Sequence, residues 1–339
     1  MTIKVDTNTN TTWRIGGKIS GSGNWTKSGP GVLSLGQGND AGPGNDFSGT
    51  LTVTGGTLDI RHGNSLGSTA GGTSIQDSIL LMQNFSQTSG STLTVNELLD
   101  FSGAAFLNGY NQENKTFTQQ FNGPLTVAAG SVLGVSTARN SSGAIAPLLE
   151  LNGSTITTGS NSILSLGSRP AILPANVSAG AQTINIGSLI SGPGSLTAQG
   201  ESGSVYTLAS PGYSGNTTVN SATLKLNAPN TNNQSSTINL ATTGATLELN
   251  FDESVGPVTD TVDKLFIGGE WVAPHGTAQI EVSVFNEMVE ANRQYLREDE
   301  LLIVQGKVQV DRFAGGLRLN VNQVWDLAGA RARFGRYLS

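Results

Sequence analysis

Short apolar runs of four or five residues recur along most of this chain, and each is closed off by Gly, Asn, Ser or Asp before it can lengthen. Examples are Gly31-Val-Leu-Ser-Leu-Gly36, Thr50-Leu-Thr-Val-Thr54, Thr57-Leu-Asp-Ile60, Ser91-Thr-Leu-Thr-Val95 and Ala245-Thr-Leu-Glu-Leu249. Period-2 alternation of Thr with branched aliphatics is strand chemistry, and the intervening Gly and Asn supply turn positions with positive φ. Segments of helical period are missing from about residue 10 to 250. A strand this short cannot bury its own apolar face, so it must stack on copies of itself.

Internal repetition selects the stacking mode. Phe47-Ser-Gly-Thr-Leu-Thr-Val-Thr-Gly-Gly-Thr-Leu-Asp-Ile60 aligns without a gap on Tyr213-Ser-Gly-Asn-Thr-Thr-Val-Asn-Ser-Ala-Thr-Leu-Lys-Leu226. Upstream of the two copies lie Ile19-Ser-Gly-Ser-Gly23 and Ile190-Ser-Gly-Pro-Gly194. The same strand–turn–strand module therefore occurs twice, which predicts a mainly β fold, a parallel β-solenoid whose inward Leu, Ile and Val form a continuous ladder.

Chemical style changes just after Thr277. Residues 1–277 hold ten Lys/Arg and sixteen Asp/Glu, while the last 62 residues hold eight of each, so charge density rises nearly threefold. This divides the chain into a solenoid domain, 1–277, and a second module, 278–339, joined at Thr277–Ala278 as two units of different origin. The net charge of −6 belongs wholly to the first unit and argues against nonspecific nucleic-acid binding there. With no Cys, disulfides and thiolate metal sites are excluded. No run of about 18 apolar residues exists to span a bilayer as a helix, and Met1-Thr-Ile-Lys-Val-Asp-Thr-Asn lacks the apolar core of a secretory signal.

The Ile-Ser-Gly-x-Gly motif, Thr26-Lys-Ser-Gly-Pro-Gly-Val-Leu-Ser-Leu35, Phe-Ser-Gly and Gly-Gly-Thr-Leu together resemble the autotransporter-associated β-strand repeat of bacterial surface passengers. Asp263-Lys-Leu-Phe-Ile-Gly-Gly-Glu-Trp-Val-Ala-Pro-His-Gly-Thr277 resembles the short closing segment of such proteins. The resemblance covers about 13–277 and implies a right-handed parallel β-helix with a structural or adhesive role at the cell surface or after secretion. A host surface or a glycan would then meet a solenoid face. The second copy departs from the pattern at Ala198-Gln-Gly-Glu, where Lys-x-Gly-x-Gly is expected.

In the second module Gln279-Ile-Glu-Val-Ser-Val-Phe285 alternates as a strand, Asn286 is placed to cap a helix through about Arg297, and Glu300–Val310 reads as a long strand with Gly306 at a bend or bulge. Gly315-Gly316 turns the chain into Leu317-Arg-Leu-Asn-Val321, and a basic helix over about 327–338 follows. Strand, helix, strand, Asp-x-Phe-x-Gly-Gly-Leu, strand, then Val324-Trp-Asp-Leu-Ala-Gly-Ala-Arg-Ala-Arg-Phe334 resembles part of the OB-fold of the bacterial DNA polymerase III α subunit. That resemblance implies single-stranded DNA as a partner and a cytoplasmic alternative for location. Arg331, Arg333 and Arg336 become the candidate nucleic-acid-binding residues. The polymerase's metal-binding palm is not in this sequence, so the module is expected to be catalytically inert. Two of the five OB strands would fall upstream of Gln279, and Lys264–Val272 is the segment placed to supply them by pairing with Ile280–Phe285.

No catalytic constellation stands out, and the chain is expected to be no enzyme and to need no cofactor or metal. His62 and His275 both lie in Gly-flanked turns and read as solvated loop residues. Gly38-Asn-Asp40 and Gly44-Asn-Asp46 resemble calcium-binding turns without their full repeat. A polysaccharide-processing β-helix would need clustered Asp beside Arg or Lys, yet Arg14, Arg61, Arg139 and Arg169 are widely spread. Trp13, Trp25, Tyr110 and Tyr213 are the aromatics available to stack on sugars or inside the solenoid.

Overall fold

Two long parallel sheets wind around one apolar interior in the computed structural model, which describes residues 1–6, 12–36, 44–83, 89–111, 115–140, 147–153, 155–170, 177–178, 180–228 and 237–249 of this region. It also describes the strands 265–267, 270–272, 281–283, 302–310 and 317–326. By compactness the chain divides into Met1–Pro274 and His275–Ser339.

The first sheet holds 14 strands and has two limbs. Limb one stacks 2–4, 25–28, 51–53, 73–76, 99–102, 125–127, 155–158, 189–192 and 210–213, each parallel to the next. Limb two stacks 91–95, 117–121, 148–151, 183–186, 205–208, 223–226 and 246–249 in the same sense. The limbs merge because the strands Thr183–Gly192 and Val205–Tyr213 run through the corner between them, with a register shift between Ile186 and Leu189. The second sheet, of 13 strands, begins Thr12–Ile15, Val32–Leu35, Thr57–Ile60, Ile79–Gln83 and continues to Leu265–Ile267. This is the mainly β parallel solenoid that the short alternating runs predict. Among the described residues no helix occurs.

Register explains the alternation. Leu33, Leu58, Leu80, Leu107, Val135, Leu166 and Ala198 are successive partners on the second sheet, and all are at most 1% exposed. On limb one Leu51, Thr73, Leu99, Leu125 and Ile156 form the matching inward ladder. Most inward positions meet another apolar side chain one coil away, so each coil completes a core it could not form alone.

A line of glycines makes the coils close. A Cβ at Gly49 would collide with the carbonyl of Gly23, one at Gly71 with Gly49, one at Gly123 with Glu97 and one at Gly153 with Gly123. In the second copy of the repeat a Cβ at Gly215 would collide with Gly194. Phe-Ser-Gly and Ile-Ser-Gly-x-Gly are thus two halves of one contact: the glycine of the later motif rests on the last glycine of the earlier motif. The two copies nevertheless occupy different corners. Leu51–Val53 and Thr57–Ile60 join limb one to the second sheet, whereas Thr217–Asn220 and Thr223–Leu226 join the second sheet to limb two.

The segment expected to complete the downstream module belongs to the solenoid instead. Leu265–Ile267 pairs in parallel with 238–239 and folds back antiparallel on Glu270–Val272, while Glu281–Ser283 takes its partner inside its own unit, at 318–320. Local hairpin closure and the open edge of the last coil outcompete a more distant pairing.

The second unit contains a three-stranded sheet in the order 281–283, 317–326, 302–310, the last two antiparallel. Its register shifts between Gln305 and Gly306, opposite Gln323 and Val321, so the additional residue is Asn322 on the partner strand. Such a bulge resets the alternation. It reconciles the burial of both Val321 and Val324, which strict period-2 geometry would set on opposite faces. The helices expected at 286–297 and 327–338 lie outside the described residues.

Candidate functional surfaces

The solenoid's charged and aromatic candidates are drawn into its construction. Asn45 accepts a hydrogen bond from the Ile19 amide at 2.9 Å and donates to the Ser65 carbonyl at 2.7 Å, so it bolts three turns together. Asp46 forms an ion pair with Lys18 at 2.5 Å, and the Lys18 and Ser20 side chains hold its carboxyl below the usual range. The half of the calcium-like tandem that is described is therefore engaged in turn-to-turn contacts; Asp40 lies outside the described residues. Among the described residues no group of three His, Asp or Glu is placed to hold a metal ion.

His62 accepts a hydrogen bond from the Asn64 amide at 3.0 Å through Nδ1, which ties the ring to its own turn. His275 lies outside the described residues. Beside His62, Arg61 donates to Asp59 at 2.8 Å in an almost fully buried pair. Burial raises the Asp59 carboxyl above its ordinary range against the opposing pull of Arg61. Arg169 donates to the carbonyls of Thr137 and Gly180 at 3.1 and 3.0 Å, and desolvation lowers it from its usual range. Arg14 and Arg61 both act on the carboxylate of Asp59, and Arg139 and Arg169 meet beside Gly180 with Glu201 in electrostatic reach, so the four fall into two pairs.

Trp25, Tyr110 and Tyr213 are interior residues. Trp25 meets Phe47 edge to face at 5.4 Å, and Tyr213 shares a 2.6 Å hydrogen bond with Thr217; burial pushes its phenol up to about 12. Trp13 alone of the four is exposed, at 60%, above a hollow lined by Ile3, Val5, Ile15 and Leu33.

Lys27 and Glu97 are among the buried ionisable groups that the sequence did not single out as sites. Lys27 occupies an inward position between Ile3 and Val53, fully buried, and its ammonium donates to the carbonyls of Gly29 and Gly31, each at 2.7 Å, and of Gly55. Burial lowers it to about 8. The Lys-x-Gly-x-Gly motif carried the signal: its lysine reaches the carbonyls of both its own glycines. Glu97 sits where the corner line otherwise has glycine. Its side chain turns inward, and burial raises the carboxyl to about 7 while the Gly72 amide opposes the shift. Its Oε1 has no hydrogen-bond partner among the described residues.

The solenoid's outward faces differ in how their polar side chains are engaged. On limb two Thr94 donates to Gln120 at 3.4 Å, Gln120 donates to Glu150 at 3.2 Å, and Lys225 pairs with Glu248 at 2.9 Å. On limb one Thr2, Thr26, Thr52, Ser74, Asp100, Thr126, Thr157 and Ser191 form an unbroken ladder of oxygen-bearing residues. Within it only Ser74 uses its side-chain oxygen on another described residue, Gln76.

Arg331, Arg333 and Arg336 lie outside the described residues, so no geometry brings them together here. No helix among the described residues is long and apolar enough to cross a membrane.

Comparison with known proteins finds a partial similarity. The chain is 36% identical over 63 residues to the DNA polymerase III subunit alpha of Vibrio cholerae and 35% identical over 63 residues to that of Escherichia coli K12. The Pseudomonas aeruginosa subunit is 42% identical over 55 residues. The aligned part is 19% of this chain and 5% of the first two relatives, so the chain spans a small fraction of their length. No family model and no solved structure matches.

Proposed function

We propose that the second unit is a nucleic-acid-binding module of the polymerase III α type, without polymerase activity of its own, carried on a non-enzymatic β-solenoid. The observation that carries this reading is the 63-residue similarity to the α subunits, which equals the second unit in scale. The bulged antiparallel ladder of 302–310 with 317–326 supports it, since a strongly bent ladder suits a small closed sheet such as an OB barrel. In this reading single-stranded DNA lies against the sheet, and Arg331, Arg333 and Arg336 neutralise its phosphates. Fluorescence anisotropy of the full chain with a labelled oligothymidylate, at rising salt, tests it. Binding that weakens with salt, and whose salt slope falls when the three arginines become Ala, is expected. Absence of binding at low salt overturns the reading.

A second reading concerns the solenoid: a structural or adhesive role, of the kind bacterial surface passengers have. The repeated corner contact of Gly49 on Gly23 and Gly215 on Gly194 supports it, because it reproduces the repeat's glycines in stacked coils. The two readings place the chain in different compartments, the cytoplasm and the cell surface. Adherence of beads coated with the full chain to cells tests the second; coated beads that adhere no better than blank ones would remove it.

A further inference from the structure

We propose that the outer face of limb one is a binding stripe for a linear, uncharged polysaccharide lying along the solenoid axis. This rests on the second reading above, the solenoid as a recognition scaffold, and names its surface and ligand class. Over the four rungs 98–102, 124–127, 155–158 and 189–192, two parallel lines of side chains face outward. One is Asp100, Thr126, Thr157 and Ser191. The other, two residues upstream on each rung, is Leu98, Pro124, Thr155 and Leu189.

Successive rungs of a sheet lie about 4.8 Å apart, and the lines are separated by about 7 Å, two residues of strand rise. Leu98 and Leu189 are 38% and 43% exposed, two of the few large apolar side chains left in water among the described residues. The carboxylate of Asp100 and the hydroxyls of Thr126, Thr157 and Ser191 make no hydrogen bond to another described residue, in contrast to the interlinked Thr94, Gln120, Glu150 ladder of limb two. An ordered row of unengaged oxygen groups beside a row that is apolar at Leu98, Pro124 and Leu189 matches a sugar chain, which presents hydroxyl edges and C–H faces in a fixed repeat.

Electrostatics selects the ligand further. The line holds a single charge, Asp100, on a unit that is acidic overall, so it repels polyanions and offers a polycation one partner in four rungs. A neutral polyol satisfies all four oxygen groups and needs no counter-charge. The sheet holds these groups on rigid backbone, so little ordering entropy opposes binding. The stripe requires no reaction.

The test uses the full chain and three soluble probes, cellohexaose, laminarihexaose and dextran, followed by titration calorimetry. One probe is expected to bind saturably, and the double variant Thr126→Arg with Thr157→Arg is expected to weaken it at least tenfold without changing the far-ultraviolet circular dichroism. Leu98→Ser with Leu189→Ser, which leaves the backbone contacts intact, is expected to do the same and stands in if the arginine variant misfolds. Thr118→Arg with Thr207→Arg on limb two should leave affinity unchanged. Failure of all three probes overturns the stripe, as does undiminished binding by both limb-one variants. Binding lost only with the limb-two variant overturns the stripe but keeps the recognition reading, and bead adherence to cells without binding of any probe does likewise.

Discussion

The two copies of the repeated module, 47–60 and 213–226, share a fold and differ in what holds it. Both place a glycine on the carbonyl of an earlier coil, at Gly49 and Gly215. At the next turn they part. In the first copy Gly56 carries the left-handed conformation at φ 67°, and a Cβ there would stand 2.5 Å from the Gly31 carbonyl oxygen and 2.6 Å from the Lys27 ammonium. In the second copy the aligned residue is Ala222, and the left-handed position moves one residue upstream to Ser221, at φ 51°. Lys27 fills the space beside the first turn. One sequence template therefore tolerates two corner chemistries, one of them with a buried ammonium beside it.

The largest test of this difference is Gly56→Ala. Added bulk at a closed, left-handed site is expected to lower stability by about 3 kcal/mol, combining overpacking with backbone strain. Ala222→Gly in the second copy should cost only about 0.5–1 kcal/mol, chiefly through entropy. Chemical denaturation of both variants measures the asymmetry, and equal losses would refute it.

Lys27→Met comes next. It strips the carbonyls of Gly29, Gly31 and Gly55 of their shared donor, an expected loss of about 1–3 kcal/mol at neutral pH. The pH dependence carries a sign. Lys27 is lowered to about 8 in the folded chain from its ordinary 10.5, so between those values the unfolded state binds more protons. Its contribution to stability therefore rises as pH climbs from about 8 to 10.5. Denaturation midpoints across that window should lose this rise in the Met variant.

Glu97 sharpens the comparison at the glycine line itself, as the corner that carries a side chain. Its folded value of about 7 lies above the ordinary 4.5, so the folded state binds the extra proton and this group's contribution falls as pH rises from 4.5 to 7. Glu97→Gln is expected to flatten that slope and to stabilise the chain near pH 8 by at most about 3 kcal/mol. Thermal melts at acid and neutral pH would show it, and an unchanged slope would rule Glu97 out as its source. The smallest effect is expected from Ser221→Gly, a gain of under about 1 kcal/mol from relief at positive φ, offset by loss of the Ser221–Thr242 hydrogen bond. A loss above that size in a thermal melt would show that the hydrogen bond outweighs the strain.

Much of this architecture is legible in the sequence. Alternation such as Leu51-Thr-Val53 marks strands because an inward ladder must repeat every second residue, and the Phe-Ser-Gly and Ile-Ser-Gly-x-Gly motifs mark the corners because their glycines touch. Which corner each copy turns was not legible: local residues encode a bend, while the face it joins depends on how many residues precede it in the coil. The destination of Lys264–Val272 was missed for a related reason, since a hairpin can close on any open edge of matching register. The inward burial of Glu97 had no sequence signal, because a lone sequence does not reveal that an alternating position faces inward, whereas Lys27 was marked only by the two glycines that follow it. The free ladder is nearly all Thr and Ser and the interlinked one carries Gln120, Glu150, Lys225 and Glu248, but only the pairing register shows which of these residues stand in line.

Each coil of the solenoid finds its register partners close in sequence: Val205 pairs with Thr223, and even the wider loops reach only from Leu148 to Thr183. Assembly of such a chain needs no encounter between distant segments. A formed coil offers its edge as a template, the next stretch settles on it, and order spreads along the axis in small increments. Damage should spread in the same way, rung by rung from a weakened coil, so that one broken corner frays its neighbours and leaves the far end intact.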